Sequence, residues 1–150
     1  MSTNSSIIVR HPTTGVYASI YVHSDGYLEH NGVILHRCFT TLEQVLALVS
    51  LGDISYLGNS YETALSYHRW RNEPIKIDAS PILEDHADYE YNYLFVDGEW
   101  QVKYYKNEQW QPLGPLVSEM PMPRIADTSD RWDGKTRYLG KELPKLVGWQ

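Results

Sequence analysis

"YEYNYLFVDGEWQVKYY", residues 89–105, is the stretch that decides the fold. Asp97-Gly98 interrupts two runs of aromatic and β-branched residues. Asp-Gly between such runs is a strong signal for a two-residue hairpin turn. With the turn there, Val96 stands opposite Glu99, Phe95 opposite Trp100, Tyr93 opposite Val102 and Tyr91 opposite Tyr104. Successive side chains point to opposite faces of a strand. One face is therefore almost wholly aromatic, and the other carries Asn92, Leu94, Val96, Glu99, Gln101 and Lys103. Cross-strand aromatic pairs stabilise such a hairpin by roughly 0.2–1 kcal/mol each. "KNEQ" at Lys106 to Gln109 predicts a second turn, with Trp110 on a third, short strand.

Upstream, Ile7 to Val9 reads as a strand and "PTTG", Pro12 to Gly15, as a turn. In "VYASIYVH" the apolar residues Val16, Ala18, Ile20 and Val22 share one face, and Tyr17, Ser19, Tyr21 and His23 the other. "SDG" at Ser24 to Gly26 ends that strand, and Asn31-Gly32 splits Leu28 to Leu35 as a further hairpin. A β-hairpin or meander is expected over the first forty residues. A helix follows: Thr40 and Glu43 have capping-box spacing, and Leu42, Val45, Leu46 and Val49 recur at helical spacing. Gly52 supplies its stop. Tyr61 to Arg71 reads as a second helix. Ser80 and Pro81 open a short one to Ala87, with Glu84 spaced to support the cap. After Pro112, prolines at 115, 121, 123 and 144 discourage regular structure. Trp132, Tyr138, Leu143, Leu146 and Trp149 are scattered apolar anchors there. The expected class is α+β: antiparallel meander and hairpins packed with one or two helices. Residues 1–112 form the compact domain. Residues 113–150 form an extended arm packed on it or on a partner subunit, the latter giving a homodimer.

A chain of 150 residues can bury one core without staples. Cys38 is its single cysteine, so no intrachain disulfide forms, which fits a reducing compartment. No leader and no apolar run near the roughly 18 residues of a membrane span is present, so a cytoplasmic protein is expected. The net charge of -6 is unevenly placed. Residues 78–99 hold seven acids (Asp78, Glu84, Asp85, Asp88, Glu90, Asp97, Glu99) and no Lys or Arg, while the remainder holds twelve acids against thirteen bases. Phosphate binding needs clustered cations, so direct nucleic-acid binding is not expected of that segment. A basic protein surface is its better partner; the plain alternative is a solvated face that aids solubility. Twelve tyrosines and five tryptophans against two phenylalanines favour half-wet surfaces and interfaces.

Among candidate sites, "YVHSDGYLEHNG", Tyr21 to Gly32, is the densest. Its metal reading uses His23 and Asp25 from one strand face with His30 or Glu29, and His36 to complete the set. Its structural reading makes Asp25-Gly26 and Asn31-Gly32 turns, with the histidines as surface or cross-strand partners. No recognised metal spacing, P-loop, G-x-S-x-G or G-x-G-x-x-G occurs, and no cofactor is implied. Cys38 and His36 would share a strand face, but a thiol between Arg37 and Phe39 reads as inert. "HRWR", His68 to Arg71, places Arg69 and Arg71 around Trp70, either to hold a phosphate or to pair with the acidic segment. In "DTSDRWDGKTRY", Arg131, Trp132 and Arg137 are residue types enriched at hot spots.

"VHSDGYLEHNG", the helix ending in "LVSLGDISYLG", and the "DGEW" hairpin together resemble a family of small proteins encoded by phages, prophages and other mobile elements. The resemblance spans Ser19 to Tyr105, and Ser24 stands where the family motif has Trp between His and Asp. It implies no catalytic residue. It implies a setting in which small single-domain proteins neutralise host defences. The expectation is a non-enzymatic phage protein that inhibits a host defence component, such as a CRISPR effector, through an acidic, aromatic surface. Glu84, Asp85, Asp88 and Glu90 are the acidic contacts, with Tyr89 and Trp132 the aromatic ones. The alternatives are a small metal-dependent enzyme using His23, Asp25 and His30, and a protein that sequesters a signal nucleotide through Arg69, Arg71 and Trp70.

Overall fold

A computed structural model describes residues 3–105, 107–128 and 131. Eight strands among them join in one mixed sheet: β1 (Ser5–Arg10), β2 (Tyr17–Val22), β3 (Ile54–Tyr56), β4 (Leu65–Ser66), β5 (Asp78–Ser80), β6 (Tyr91–Val96), β7 (Glu99–Tyr104) and β8 (Asn107–Pro112). Their order is β4-β3-β2-β1-β6-β7-β8, with β5 pairing β2 off this path. The class is α+β, as the alternation of hairpins and short helical segments predicts.

The β6–β7 hairpin has the expected register, with Phe95 opposite Trp100, Tyr93 opposite Val102 and Tyr91 opposite Tyr104. Asp97 and Gly98 both take positive φ, 53° and 78°, the conformation a tight primed turn needs. The aromatic face is the core face. Tyr93 is fully buried, and Phe95 and Trp100 meet edge-on with ring centres 5.1 Å apart. The Trp100 indole N–H donates to the Phe39 carbonyl at 2.8 Å. The β1–β2 hairpin is antiparallel, and it puts Ile7, Val9, Ala18, Ile20 and Val22 into the same core. The helices α1 (Val33–Cys38) and α2 (Leu42–Val49) contribute Val33, Ile34, Leu35, Val45, Leu48 and Val49 to it. β6 lies parallel to β1, joining the two hairpins into one sheet.

Several local expectations are corrected. Leu28 to Leu35 is not a hairpin: Leu28–Gly32 forms a π-helical turn that runs into α1, and Gly32 has helical φ of -60°. Asn31-Gly32 is drawn out of its turn preference by packing. Asn31 is fully buried, and a Cβ on Gly32 would touch the Tyr93 hydroxyl, Val117 and Leu113. In the Ser24–Gly26 bend it is Asp25, with φ of 57°, that takes the left-handed conformation, not Gly26. The capping box of α2 sits one residue later than Thr40/Glu43: Thr41 Oγ1 accepts from the Gln44 amide, and Gln44 Oε1 accepts from the Thr41 amide. Gly52 ends that segment with φ of 74°, as expected. Within Tyr61 to Arg71 only α3 (Tyr67–Arg71) is helical, preceded by β4. Pro81 to Ala87 reduces to a 3-10 turn over Leu83–His86, and Asp85 rather than Glu84 accepts from Ser80 Oγ. The turn expected over Lys106 to Gln109 closes earlier, because Asn107 already pairs with Tyr104.

The described residues that follow Pro112 pack against the sheet and helices. α4 (Gly114–Val117) buries Leu113 and Val117. Arg37 donates to the Met120 carbonyl. The Ala126 amide donates to the Tyr56 hydroxyl at 2.8 Å. The expected anchors Trp132, Tyr138, Leu143, Leu146 and Trp149, and Arg137, lie outside the described residues. No helix among the described residues is long and apolar enough to cross a membrane.

Candidate interaction surface

The stretch Tyr21 to Gly32 locks the fold. Gly26 donates its amide to the Thr3 carbonyl and accepts the Tyr93 hydroxyl at 2.6 Å, which ties the bend to the aromatic hairpin. His30 is buried, with Nδ1 2.8 Å from Asn31 Oδ1 and Nε2 3.1 Å from the Tyr56 hydroxyl. The Asn31 oxygen calls for a hydrogen on Nδ1. Asn31 Nδ2 donates to Ser5 Oγ. His23 is exposed and bonds the Tyr21 hydroxyl at 2.7 Å, while Asp25 accepts from the Tyr27 hydroxyl. Both nitrogens of His30 are thus engaged away from His23 and Asp25. Among the described residues no three His, Cys, Asp or Glu side chains converge on a metal position. His36 lies on α1 and not with this group, and Glu29 is exposed.

The acidic segment stays at the surface. Glu84, Asp85, Asp88, Tyr89 and Glu90 are all exposed. The turn Leu83–His86 is pinned to the sheet by His86, whose place in an acidic run gives no sign of this role. His86 is buried, with Nδ1 2.6 Å from Ser19 Oγ and Nε2 3.2 Å from the Ser80 carbonyl. The carbonyl needs the ring hydrogen on Nε2, so the Ser19 hydroxyl donates to Nδ1. Asn92 holds the next segment by accepting from the Tyr89 amide and donating to the Tyr89 carbonyl.

These anchors put Tyr89 against Tyr21, with ring centres 5.3 Å apart and planes at 42°. Carboxylates gather around the pair. Asp53 Oδ1 accepts from the Tyr21 amide at 2.9 Å, Asp78 pairs with Ser19 on β2, and Asp88 precedes Tyr89 in the chain. Burial pushes the Tyr89 hydroxyl above its usual pKa, and the charges of Asp53, Asp78 and Asp88 push it further. The surface therefore combines an exposed aromatic ring with concentrated negative potential. Lys76 is the cation that offsets Asp53. Asp53 and Tyr21 were not legible as members of this surface. Tyr21 could have been found from its place on the outward face of β2, and Asp78 from the basic-free segment. Asp53, next to the helix stop at Gly52, carries no local signal.

Asp53 supplies a stability test. Burial first, then the charge of Asp78, raises its carboxyl pKa above the ordinary 3.8; the Tyr21 amide and Lys76 act the other way. A raised carboxyl pKa means that the folded chain holds the proton more tightly than the unfolded chain. Stability therefore falls as pH rises from 3.8 through the raised value. Asp53→Asn keeps an acceptor for the Tyr21 amide and removes that loss. It is expected to raise the melting temperature at pH 7 and to leave it unchanged below pH 3.8. Thermal unfolding across pH measures this.

The remaining candidates separate. Arg69 is buried and donates to the Tyr61 and Glu62 carbonyls, so it cannot hold a phosphate. Arg71 pairs with Glu73 at 3.7 Å rather than with the acidic segment. Cys38 is half-buried on α1, and burial raises its thiol pKa against the opposing charge of Arg37. Positions i and i+2 do not share a helix face, so Cys38 and His36 are not the pair a strand would make of them. A cleft of about 320 Å³ flanks the β6–β7 turn, lined among others by His36, Thr40, Glu99, Trp100, Pro112 and Pro115. Its polar side chains make no hydrogen bond with one another among the described residues, and Trp100 has given its N–H to Phe39. Comparison with protein families, curated proteins and solved structures finds no match for this chain.

Proposed function

We propose that the chain is a non-enzymatic binding protein of phage or related origin that inhibits a host defence component, for example a CRISPR effector, by covering a basic protein surface. The observation that carries this reading is the exposed Tyr89, packed at a tilt against Tyr21 in a field set by Asp53, Asp78 and Asp88. Tyrosine is a rigid amphipathic anchor of the type found at hot spots, and the carboxylates steer a cationic partner towards it. Glu84, Asp88 and Glu90 extend the charge, and their side chains make no hydrogen bond among the described residues. The resemblance to proteins of mobile elements supplies the setting. No catalytic step is assigned to any residue.

Reversing Glu84, Asp88 and Glu90 to lysine, together with Asp85→Asn, tests the reading. The amide oxygen introduced by Asp85→Asn keeps the Ser80 hydroxyl satisfied, so the turn is preserved. With a host protein captured from bacterial lysate by the tagged wild-type chain and placed on a biosensor, the association rate is expected to fall about 10- to 1,000-fold. The wild-type rate is expected to fall steeply with added salt. Unchanged association and inhibition by the folded variant would refute the assignment.

A further inference from the structure

A second surface, built on α3, carries the opposite charge. The Arg71 guanidinium carbon lies 4.1 Å from the Trp70 ring centre and 5.3 Å from that of Tyr67. Arg131, from the segment after α4, lies 5.7 Å from the same Trp70 centre. Tyr67 and Trp70 are themselves stacked, with planes 18° apart. Two guanidiniums thus converge on one indole in a protein of net charge -6. Arg71 is half-exposed and Arg131 is exposed. The Glu73 carboxylate stands 3.7 Å from Arg71, beyond hydrogen-bond length, and neither arginine side chain has a hydrogen-bonded acceptor among the described residues. Cation–π contact holds each guanidinium plane near the indole but satisfies none of its N–H donors.

We propose that Arg71 and Arg131 hold the phosphate of a nucleotide, with the Tyr67–Trp70 stack as the neighbouring surface for its base. A phosphate accepts from two planar N–H forks at once, which a carboxylate at the distance of Glu73 does not. Aromatic side chains accept bases by stacking without regard to sequence. The site borders the acidic face, where the Tyr67 amide donates to the Asp53 carbonyl at 3.3 Å, but its arginines are not part of that face and it does not depend on a protein partner. It also differs from the pair Arg69 and Arg71 expected from "HRWR", because Arg69 is spent on the Tyr61 and Glu62 carbonyls.

Isothermal titration of the purified full chain with 5′-AMP, 5′-GMP and inorganic phosphate tests it. Binding of a nucleotide is expected, with inorganic phosphate at least about tenfold weaker because it lacks the stacking base. Arg71→Gln and Arg131→Gln are each expected to weaken nucleotide binding about tenfold or more, with circular dichroism unchanged. No binding at millimolar ligand, or binding unaltered in the double variant, overturns the proposal. Phosphate that binds as tightly as the nucleotides overturns it too, and leaves an adventitious ion only.

Discussion

Trp100→Ala is expected to destabilise the chain by about 3–5 kcal/mol, the range for removing a large aromatic side chain from a core. Trp100 is 6% exposed, and it closes the core beneath the β6–β7 turn. The substitution removes the edge-on partner of Phe95 and the donor that the Phe39 carbonyl accepts at 2.8 Å. An orphaned buried carbonyl adds its own cost of about 1–3 kcal/mol where no water reaches it. Trp100→Phe separates the two contributions, since it keeps most of the ring and loses the N–H. Urea denaturation should place the Trp100→Phe variant between wild type and Trp100→Ala. A loss below about 1 kcal/mol for Trp100→Ala would show that the aromatic hairpin does not close the core as described.

Gly26→Ala is expected to be the other large effect. A Cβ there would lie 2.8 Å from Ser5 Cβ and 3.0 Å from the Asn4 carbonyl carbon and oxygen. Two of those three contacts are backbone, so the strand entrance must move. Forced overpacking of this kind costs about 1–3 kcal/mol. The movement would also disturb the Tyr93 hydroxyl bond to the Gly26 carbonyl and the Ser5–Asn31–His30 chain. The same denaturation experiment measures it, and His30 ring resonances in NMR should shift with it. Gly98→Ala is the internal control: nothing lies within 4 Å of its Cβ, so its cost comes from φ alone.

The parts of the fold that local chemistry specifies were legible. Asp97-Gly98 set a register that holds pair by pair, because period-two alternation and turn length leave one solution. The α2 helix was placed by its apolar spacing, although its cap lies one residue later than expected because Gln44 takes the role foreseen for Glu43. Tertiary contacts decided the rest. Asn31-Gly32 would favour a turn in isolation, but Ser5 and His30 satisfy Asn31 inside a helical segment. The parallel pairing of β1 with β6 joins residues some 86 apart, as in the Ser6–Asn92 hydrogen bond, and no local pattern encodes it. For the candidate surface, the acidic segment and Tyr89 were visible as charge and aromaticity. Its assembly was not, since Tyr21, Asp53 and Asp78 arrive from three separate elements. His86 was hidden among acids although it anchors their turn to Ser19.

The face around Tyr89 is expected to bind a basic protein surface. Hydrogen–deuterium exchange on the complex with the captured host protein tests this most directly. Protection on binding is expected in the peptides that cover residues 17–23, 53–56 and 78–92, with little change at the β6–β7 turn. Protection confined to the cleft beside that turn, around His36 and Pro112–Pro115, with the Tyr89 face exchanging as in the chain alone, would contradict it.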